Sequence, residues 1–188
     1  ALSGTASGSE QEQQRLRGVL GSSCPLEFLC TEKTCFAAEN RNRGARHCTE
    51  DVLIFMDADD EFLPNRIETV MDMMKRHRAD AVLHSYKSNH THHRYDCVQE
   101  IDPDAFAQME KADRAHLHLS GDLPVTHGHV VVTRRAYWKA GGQREGQEWR
   151  RGEDARFVRD LFAHKVRVAF TYRPLSVYHL HLSSERSS

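Results

Sequence analysis

The residues of this chain best suited to chemistry are the acids that follow an apolar run. Val52-Leu53-Ile54-Phe55-Met56 leads into Asp57-Ala58-Asp59-Asp60-Glu61, in which four of five side chains are acidic. Neighbouring carboxylates raise one another's pKa and resist burial, and a divalent cation offsets that cost. Because Mg²⁺ and Mn²⁺ prefer oxygen ligands and retain sites for phosphate oxygens and water, the pattern predicts a metal site that carries a phosphorylated substrate. The alternative is an ordinary acidic turn before a helix, capped by Asp60 or Asn65.

A second acidic pair, Glu153 and Asp154, follows Gly152 at the start of a predicted helix. Acids in the first turn are stabilised by the helix macrodipole, by about 0.3–1 kcal/mol, and this explains either residue alone. The functional alternative is that Asp154 or Glu153 faces a bound substrate as the general base, which takes a proton from an acceptor hydroxyl. The residues themselves leave both interpretations open.

A basic segment, Asn40–Arg46, precedes the apolar run. The planar guanidinium groups of its arginines suit phosphate oxygens, and Gly44 permits close approach of a ligand to the backbone. The segment therefore indicates anion binding, with a solvated basic loop as the alternative.

The 13 histidines supply one further candidate pair. His179 and His181 alternate along a predicted strand, so both rings lie on one face and could share a ligand. The sequence contains no H-E-x-x-H motif, and no carboxylate is spaced to complete a catalytic zinc site. We expect most of the other histidines to be surface or half-buried residues.

Helices and strands alternate through the middle of the chain, which predicts an α/β fold with a largely parallel sheet. Asp51–Met56 is the best strand, since an unbroken apolar run suits a parallel strand covered on both faces. The other predicted strands are Leu26–Cys30, Cys35–Ala38, Ala79–Tyr86, His129–Thr133, Val166–Thr171 and Leu175–His181. The predicted helices are Gln11–Leu20, Pro64–Arg78, Asp102–Lys111, Arg134–Lys139 and Glu153–His164.

Composition narrows the possible functions. The 188 residues suit about one domain, and we expect a disordered segment at 1–13, a single domain at 14–184 and a tail at 185–188. The 26 basic and 27 acidic groups nearly cancel, which gives no indication of a nucleic-acid partner. No apolar run is long enough for a membrane span and no secretory leader is visible, so a cytoplasmic protein is expected.

The five cysteines contain no C-x-x-C pair, which argues against a zinc ribbon or a redox site. They indicate unpaired thiols in a reducing compartment. The alternative is one bridge among Cys24, Cys30 and Cys35 if the protein is secreted or luminal.

Taken in order, these segments resemble glycosyltransferase family 2, the inverting enzymes of the GT-A fold. Many members carry A-R-N-x-G, then an apolar strand that ends F-L-D-x-D-D, then a helix that begins with Pro. Asn40–Gly44, Asp51–Asp60 and Pro64 match this order, and the interval from Arg41 to Asp57 matches without a gap. The matching downstream segments are Gly128–Thr133, Arg134-Arg135, Gly141-Gly142, Glu153-Asp154 and Tyr178–His181 with the serines that follow.

The resemblance implies a binding site for a nucleotide-diphosphate sugar donor. Asp57 and Asp59 would form the D-x-D motif that meets the ribose and the metal, with Asp59 as the direct ligand of Mn²⁺ or Mg²⁺. His181 would approach the metal or the diphosphate, and Arg41 and Asn42 would lie near the nucleotide.

The resemblance also implies the role of the second acidic pair. Asp154 would be the base that activates a hydroxyl of a glycan or other acceptor, and Glu153 would orient it or bind the acceptor. The expected fold is a GT-A-like α/β layered domain with a mixed, mostly parallel central sheet, and the expected activity is metal-dependent inverting sugar transfer.

One departure from the family pattern concerns the first half of the nucleoside pocket. Members begin with an apolar strand that ends P-x-Y-N and a second that ends V-D-D-x-S, whereas Leu26–Cys30 is followed by Thr31-Glu32-Lys33. We therefore expect an N-terminally incomplete fold, and the alternative function is a truncated or inactive remnant that acts as a binding module. A nucleotidyltransferase is a third possibility, although the Gly-rich basic loop typical of that class is absent from the sequence.

Overall fold

The computed structural model describes residues 14–15, 17–18, 27–29, 31, 35–88, 129–146 and 152–179. The segments predicted at 1–13, 102–111 and 185–188, and the candidate ligand His181, lie outside these residues. Residues 14, 15, 17 and 18 are helical, within the helix predicted over 11–20. Residues 27–29 have no regular structure, so the strand predicted there is not formed.

The described residues form a sheet of five strands. These are β1 (Val52–Ile54), β2 (Glu61–Phe62), β3 (Ala81–Ser88), β4 (Val130–Thr133) and β5 (Val168–Tyr178), in the spatial order β1-β4-β3-β5-β2. Strands β3 and β5 are parallel, and the other three neighbouring pairs are antiparallel. The prediction of a mixed sheet is confirmed, but most of its pairings are antiparallel rather than parallel.

Strand β4 shows why the pairing direction was predicted incorrectly. Its residues Val130, Val131 and Val132 are fully buried, although the strand is antiparallel to both neighbours. An unbroken apolar run indicates that both faces of a strand are covered, but it does not indicate the direction of its neighbours. Here the cover comes from helices on either side of a mixed sheet.

In the part of the chain that the structure describes, four helices cover the two faces of the sheet. They are α1 (Ala37–His47), α2 (Arg66–Arg76), α3 (Arg134–Lys139) and α4 (Glu153–Ala163). Helices α1, α3 and α4 contribute Ala45, Tyr137 and Phe157 to one core, and α2 contributes Val70 and Met73 to a second core on the other face. None of the helices among the described residues is long and apolar enough to cross a membrane.

Helix α1 forms where a strand was predicted over Cys35–Ala38, and it also takes in the basic segment for which a solvated loop was the alternative. The Glu39 carboxylate accepts a hydrogen bond of 2.8 Å from the backbone N–H of Phe36, which satisfies one of the free donors at the helix start. Ala38, Asn42 and Ala45 are buried at a spacing of four and three residues, the period of a helix with one face on the core.

Strand β5 replaces the two closing strands predicted on either side of Pro174. Pro174 lies opposite Ser85, where the register between β3 and β5 shifts. A proline lacks the N–H that a ladder needs and is tolerated at such an irregularity. The strand therefore continues to Tyr178. Because β1 and β5 run in the same direction, their carboxyl ends lie at the same end of the sheet.

Candidate active site

Arg41 joins the two acidic segments. Its Nη2 lies 2.6 Å from Asp57 Oδ1, and its Nη1 lies 3.3 Å from Glu153 Oε1. The Arg41 side chain is 12% exposed, against 35% for Asp57 and 15% for Glu153. Three residues that the sequence singled out, one on a helix, one after a strand and one at the start of another helix, thus meet in one cleft.

Asn42, the neighbour of Arg41, is buried and anchors helix α1 to residues 137–145 by hydrogen bonds. Its amide nitrogen donates to the Gln143 carbonyl and to Glu145 Oε1, both at 2.7 Å. Its amide oxygen accepts from the Tyr137 hydroxyl at 2.6 Å and from the Gln143 N–H at 2.9 Å. Because these bonds use both donors and both acceptor positions of the amide, Asn42 positions Arg41 and presents no spare group to a nucleotide.

Asp154 lies in the first turn of α4, next to Glu153. The helix begins after Gly152, whose φ of 80° is in the left-handed region that favours glycine. One oxygen of Asp154 accepts a hydrogen bond of 2.7 Å from the Ala155 N–H. Burial raises the pKa of Asp154 and the charge of Glu153 adds to the rise, while that Ala155 bond and the charge of Arg41 oppose it. Asp154 is therefore a more basic carboxylate than one in water.

The acidic turn, residues 57–61 after β1, is held in shape by backbone and side-chain contacts. The Asp60 N–H donates to the Asp57 carbonyl at 3.2 Å, and Asp60 Oδ1 accepts from the His179 N–H at 3.1 Å. Burial raises the pKa of Asp60, the bond from His179 opposes this, and the charges of Asp57 and Asp59 add to it. The ring of His179 contacts Glu61 at 2.9 Å. His179 therefore ties the end of β5 to the acidic turn.

Tyr178 was not predicted as a site residue from the sequence. Its ring packs edge-on against Tyr86, with 5.5 Å between the ring centroids. Burial raises the pKa of the Tyr178 hydroxyl, and nearby carboxylates raise it further, namely those of Asp60, Asp59, Asp57 and Asp154. Tyr178 therefore lies within the field of both acidic segments, which the Arg41 bridge already brings to one cleft. Tyr178 is placed there by the long-range pairings of β5 with β3 and with β2, and no local pattern reveals those pairings.

A cavity of about 490 Å³ opens beside Asp57. It lies between helix α1 and the residues that follow β1, and Arg41, Gly44, Phe55 and Met56 are among its lining. The cavity has both the apolar surface that a ring system needs and the guanidinium that a phosphate needs.

Comparison with known proteins identifies the family. The model of the family described as glycosyl transferase family 2 matches residues 27–142. The chain belongs to glycosyl transferase family 2. A Haemophilus influenzae protein described as an uncharacterized glycosyltransferase is 32% identical over 123 residues, which cover 64% of this chain and 39% of that protein. The resemblance drawn from the sequence motifs is therefore confirmed.

Solved structures show the same fold. S. aureus TarS 1–349 in complex with UDP-GlcNAc superposes with a TM-score of 0.70 at 13% identity, over 96% of this chain and 50% of TarS 1–349. Its complex with UDP gives a TM-score of 0.69 at 11% identity, over 92% of this chain and 48% of that one. This likeness establishes the GT-A fold, and the chain spans about half the length of these structures.

The carboxylates of the cleft are oxygen ligands of the type that Mg²⁺ and Mn²⁺ prefer. Among the residues that the structure describes, no three His, Cys, Asp or Glu side chains form a ready metal site. The carboxylates that act together on Tyr178 nevertheless concentrate negative charge at the cleft. Asp57 and Asp59 therefore have the donor chemistry that the predicted metal site requires.

Proposed function

We propose that this chain is a metal-dependent inverting glycosyltransferase, which moves a sugar from a nucleotide-diphosphate donor to a hydroxyl of a glycan or other acceptor. The observation that carries the proposal is the bridge that Arg41 makes between Asp57 and Glu153. It holds the two acidic segments on either side of one cleft, with Asp154 next in line. A donor diphosphate at one side and an acceptor hydroxyl at the other would then face each other.

Asp154 serves as the general base in this proposal. Its carboxylate takes the proton of the acceptor hydroxyl as the acceptor oxygen forms a bond to the anomeric carbon. The bond from that carbon to the diphosphate oxygen breaks on the opposite side, and the electron pair leaves with the nucleoside diphosphate. Displacement in line inverts the anomeric configuration. The raised pKa of Asp154 makes it a stronger proton acceptor for this step.

Mn²⁺ or Mg²⁺ would be held by Asp57 and Asp59, and its chemistry is to stabilise the charge that develops on the departing diphosphate. Arg41 adds a fixed positive charge beside Asp57, close to where phosphate oxygens would lie. Glu153 holds the other side of the Arg41 guanidinium and so keeps it in place.

The cavity beside Asp57 supports a nucleotide-sugar donor. It adjoins both Arg41 and the acidic turn, and the TarS structures with which this fold superposes were solved with UDP-GlcNAc and UDP. In our proposal the nucleoside occupies this cavity and the diphosphate points toward Asp59.

The metal role is tested by titrating Mn²⁺ with UDP or GDP by calorimetry, using wild type, Asp59→Ala and Asp51→Ala. Asp51 is an exposed acid at the opposite end of β1, so its replacement is a matched control. We expect Asp59→Ala to weaken Mn²⁺-dependent nucleotide binding by at least about tenfold and Asp51→Ala to leave it unchanged. Absence of metal-dependent nucleotide binding in wild type would instead favour a non-catalytic binding module.

The base is tested with Asp154→Asn. We expect turnover to fall by at least about 100-fold while donor affinity is nearly kept, as removal of a general base predicts. Equal loss of binding and turnover would show that Asp154 holds the structure and does not take part in proton transfer.

A further inference from the structure

A second arginine lies beneath the acidic turn. Arg66 begins helix α2 and is only 1% exposed. Burial lowers its pKa to about 10, so the guanidinium stays charged at neutral pH. A charge held in the interior costs free energy unless nearby groups compensate it, and the groups around Arg66 show what it does there.

The contacts of Arg66 lie on both sides of the turn. Its Nη2 lies 3.4 Å from the carbonyl of Phe55, two residues before Asp57. Its guanidinium carbon lies 3.9 Å from the centre of the Phe62 ring, two residues after Asp60, in a cation–π contact. One side chain thus braces the residues that enter and leave the acidic turn.

The charge of Arg66 acts on the turn itself. The buried carboxylate of Asp60 lies within the electrostatic field of Arg66, and it accepts a hydrogen bond from the N–H of His179, the residue that follows β5. The imidazole of His84 also lies within the field of Arg66, and burial together with that field keeps it neutral, with a pKa of about 3. His84 therefore adds no second positive charge beside Arg66.

We propose that Arg66 is a positioning residue for the donor site: it fixes the turn that carries Asp57 and Asp59 in the shape that receives a cation with its diphosphate. This inference rests on the proposed function. Arg66 is buried and reaches neither donor nor acceptor. It acts through Phe55, Asp60 and Phe62, from the face of the sheet opposite to Arg41.

The experiment compares Mn²⁺ and Mn²⁺–UDP affinities of wild type, Arg66→Met, Arg66→Lys and Phe62→Leu by calorimetry, at a temperature where circular dichroism shows each to be folded. Arg66→Met removes the charge, and we expect Mn²⁺ affinity to fall by at least about tenfold, by analogy with residues that orient metal ligands. Arg66→Lys keeps the charge without the planar fork and should recover part of the loss. Phe62→Leu removes the ring and should give a smaller loss.

The control is Arg76→Met at the other end of α2, where Arg76 makes an exposed ion pair with Asp72; we expect its affinities to equal those of wild type. Should Arg66→Met fail to fold, the Lys and Leu variants decide the question. Folded variants that bind Mn²⁺ as wild type does, with only a lower Tm, would reduce Arg66 to a structural residue. Wild type that binds no Mn²⁺–UDP would overturn the proposed function instead, and this inference with it.

Discussion

Replacement of Arg41 by Met tests the arrangement on which the site depends. The change keeps the apolar stem and removes the charge shared by Asp57 and Glu153, which lie 2.6 Å and 3.3 Å from its nitrogens. A pair of unit charges at about 4 Å is worth roughly 4 kcal/mol at an effective dielectric constant of about 20, before desolvation. Exposed pairs retain about 0.2–1 kcal/mol of this, whereas truncation of one partner of a buried pair costs about 3–5 kcal/mol.

Arg41 lies between these limits because it is 12% exposed while Asp57 is 35% exposed. We therefore expect the free energy of unfolding to fall by about 2–3 kcal/mol, which lowers Tm by about 5–10 °C for a chain of this length. Arg46→Met is the matched control on the same helix. Arg46 is 60% exposed and pairs with a 41% exposed Glu145 at 3.2 Å, so its loss should cost about 1 kcal/mol or less.

The assay is thermal unfolding with and without Mn²⁺. Without Arg41 the acids lose their shared counter-ion, so Mn²⁺ should raise the Tm of Arg41→Met more than that of wild type or Arg46→Met. In a double-mutant cycle, Glu153→Gln should cost less in the Arg41→Met background than in wild type. Equal stability losses for Arg41→Met and Arg46→Met, together with equal responses to Mn²⁺, would refute the reasoning.

Three further substitutions test other parts of the site and its support. Glu153→Gln removes a charge that raises the pKa of Asp154, so that pKa should fall. Because a base must be deprotonated, the acid limb of the pH–rate profile for donor hydrolysis should move to lower pH. A move to higher pH would contradict this. Gly44→Ala adds a methyl group in open space inside helix α1, which should stabilise the chain by about 0.5–1 kcal/mol in urea unfolding; a simultaneous loss of UDP affinity would show that the ligand approaches this backbone. Burial lowers the pKa of His84 to about 3 and that of His129 well below 6.5. The unfolded chain therefore binds more protons than the folded chain below pH 6.5. The free energy of unfolding should consequently fall as the pH drops toward 3, by up to about 1.4 kcal/mol per pH unit for each ring. Urea unfolding at pH 5 and 7 should therefore show a weaker pH dependence for His84→Gln, and an unchanged one would be evidence against the buried neutral ring.

The strands and helices with a single clear period were predictable from the sequence. β1 forms within the predicted segment Asp51–Met56, and α4 begins at Glu153 as expected. The segment around Arg41 was misjudged because its buried stripe includes a polar residue. Ala38, Asn42 and Ala45 have helical spacing, but an asparagine in the middle conceals the apolar period. Four hydrogen bonds to distant residues offset the cost of burying Asn42. Because these partners are far away in the sequence, no local pattern indicates them.

The contacts that build the cleft are long-range, and this limited what the sequence could predict. Arg41 and Glu153 are 112 positions apart, and Asp60 and His179 are 119 positions apart. Residue types and their order along the chain indicated that Asp57, Glu153 and Arg41 belong to one site. The partners of each side chain depend on the sheet order β1-β4-β3-β5-β2, in which only β3 and β4 are neighbours both along the described part of the chain and in the sheet.

The two arginines explain how so acidic a turn folds before any ligand arrives. Arg41 comes from α1 on one face of the sheet and Arg66 from α2 on the other, and both converge where β1 ends. Arg41 is partly exposed and contacts Asp57 directly, so it is accessible from the cleft. Arg66 is fully buried and contacts the flanks of the turn, so it is screened from ligand and stays fixed. In the proposed function, Arg41 exchanges its carboxylate partner for a donor phosphate, and the proposed role of Arg66 is to keep the turn in shape during that exchange.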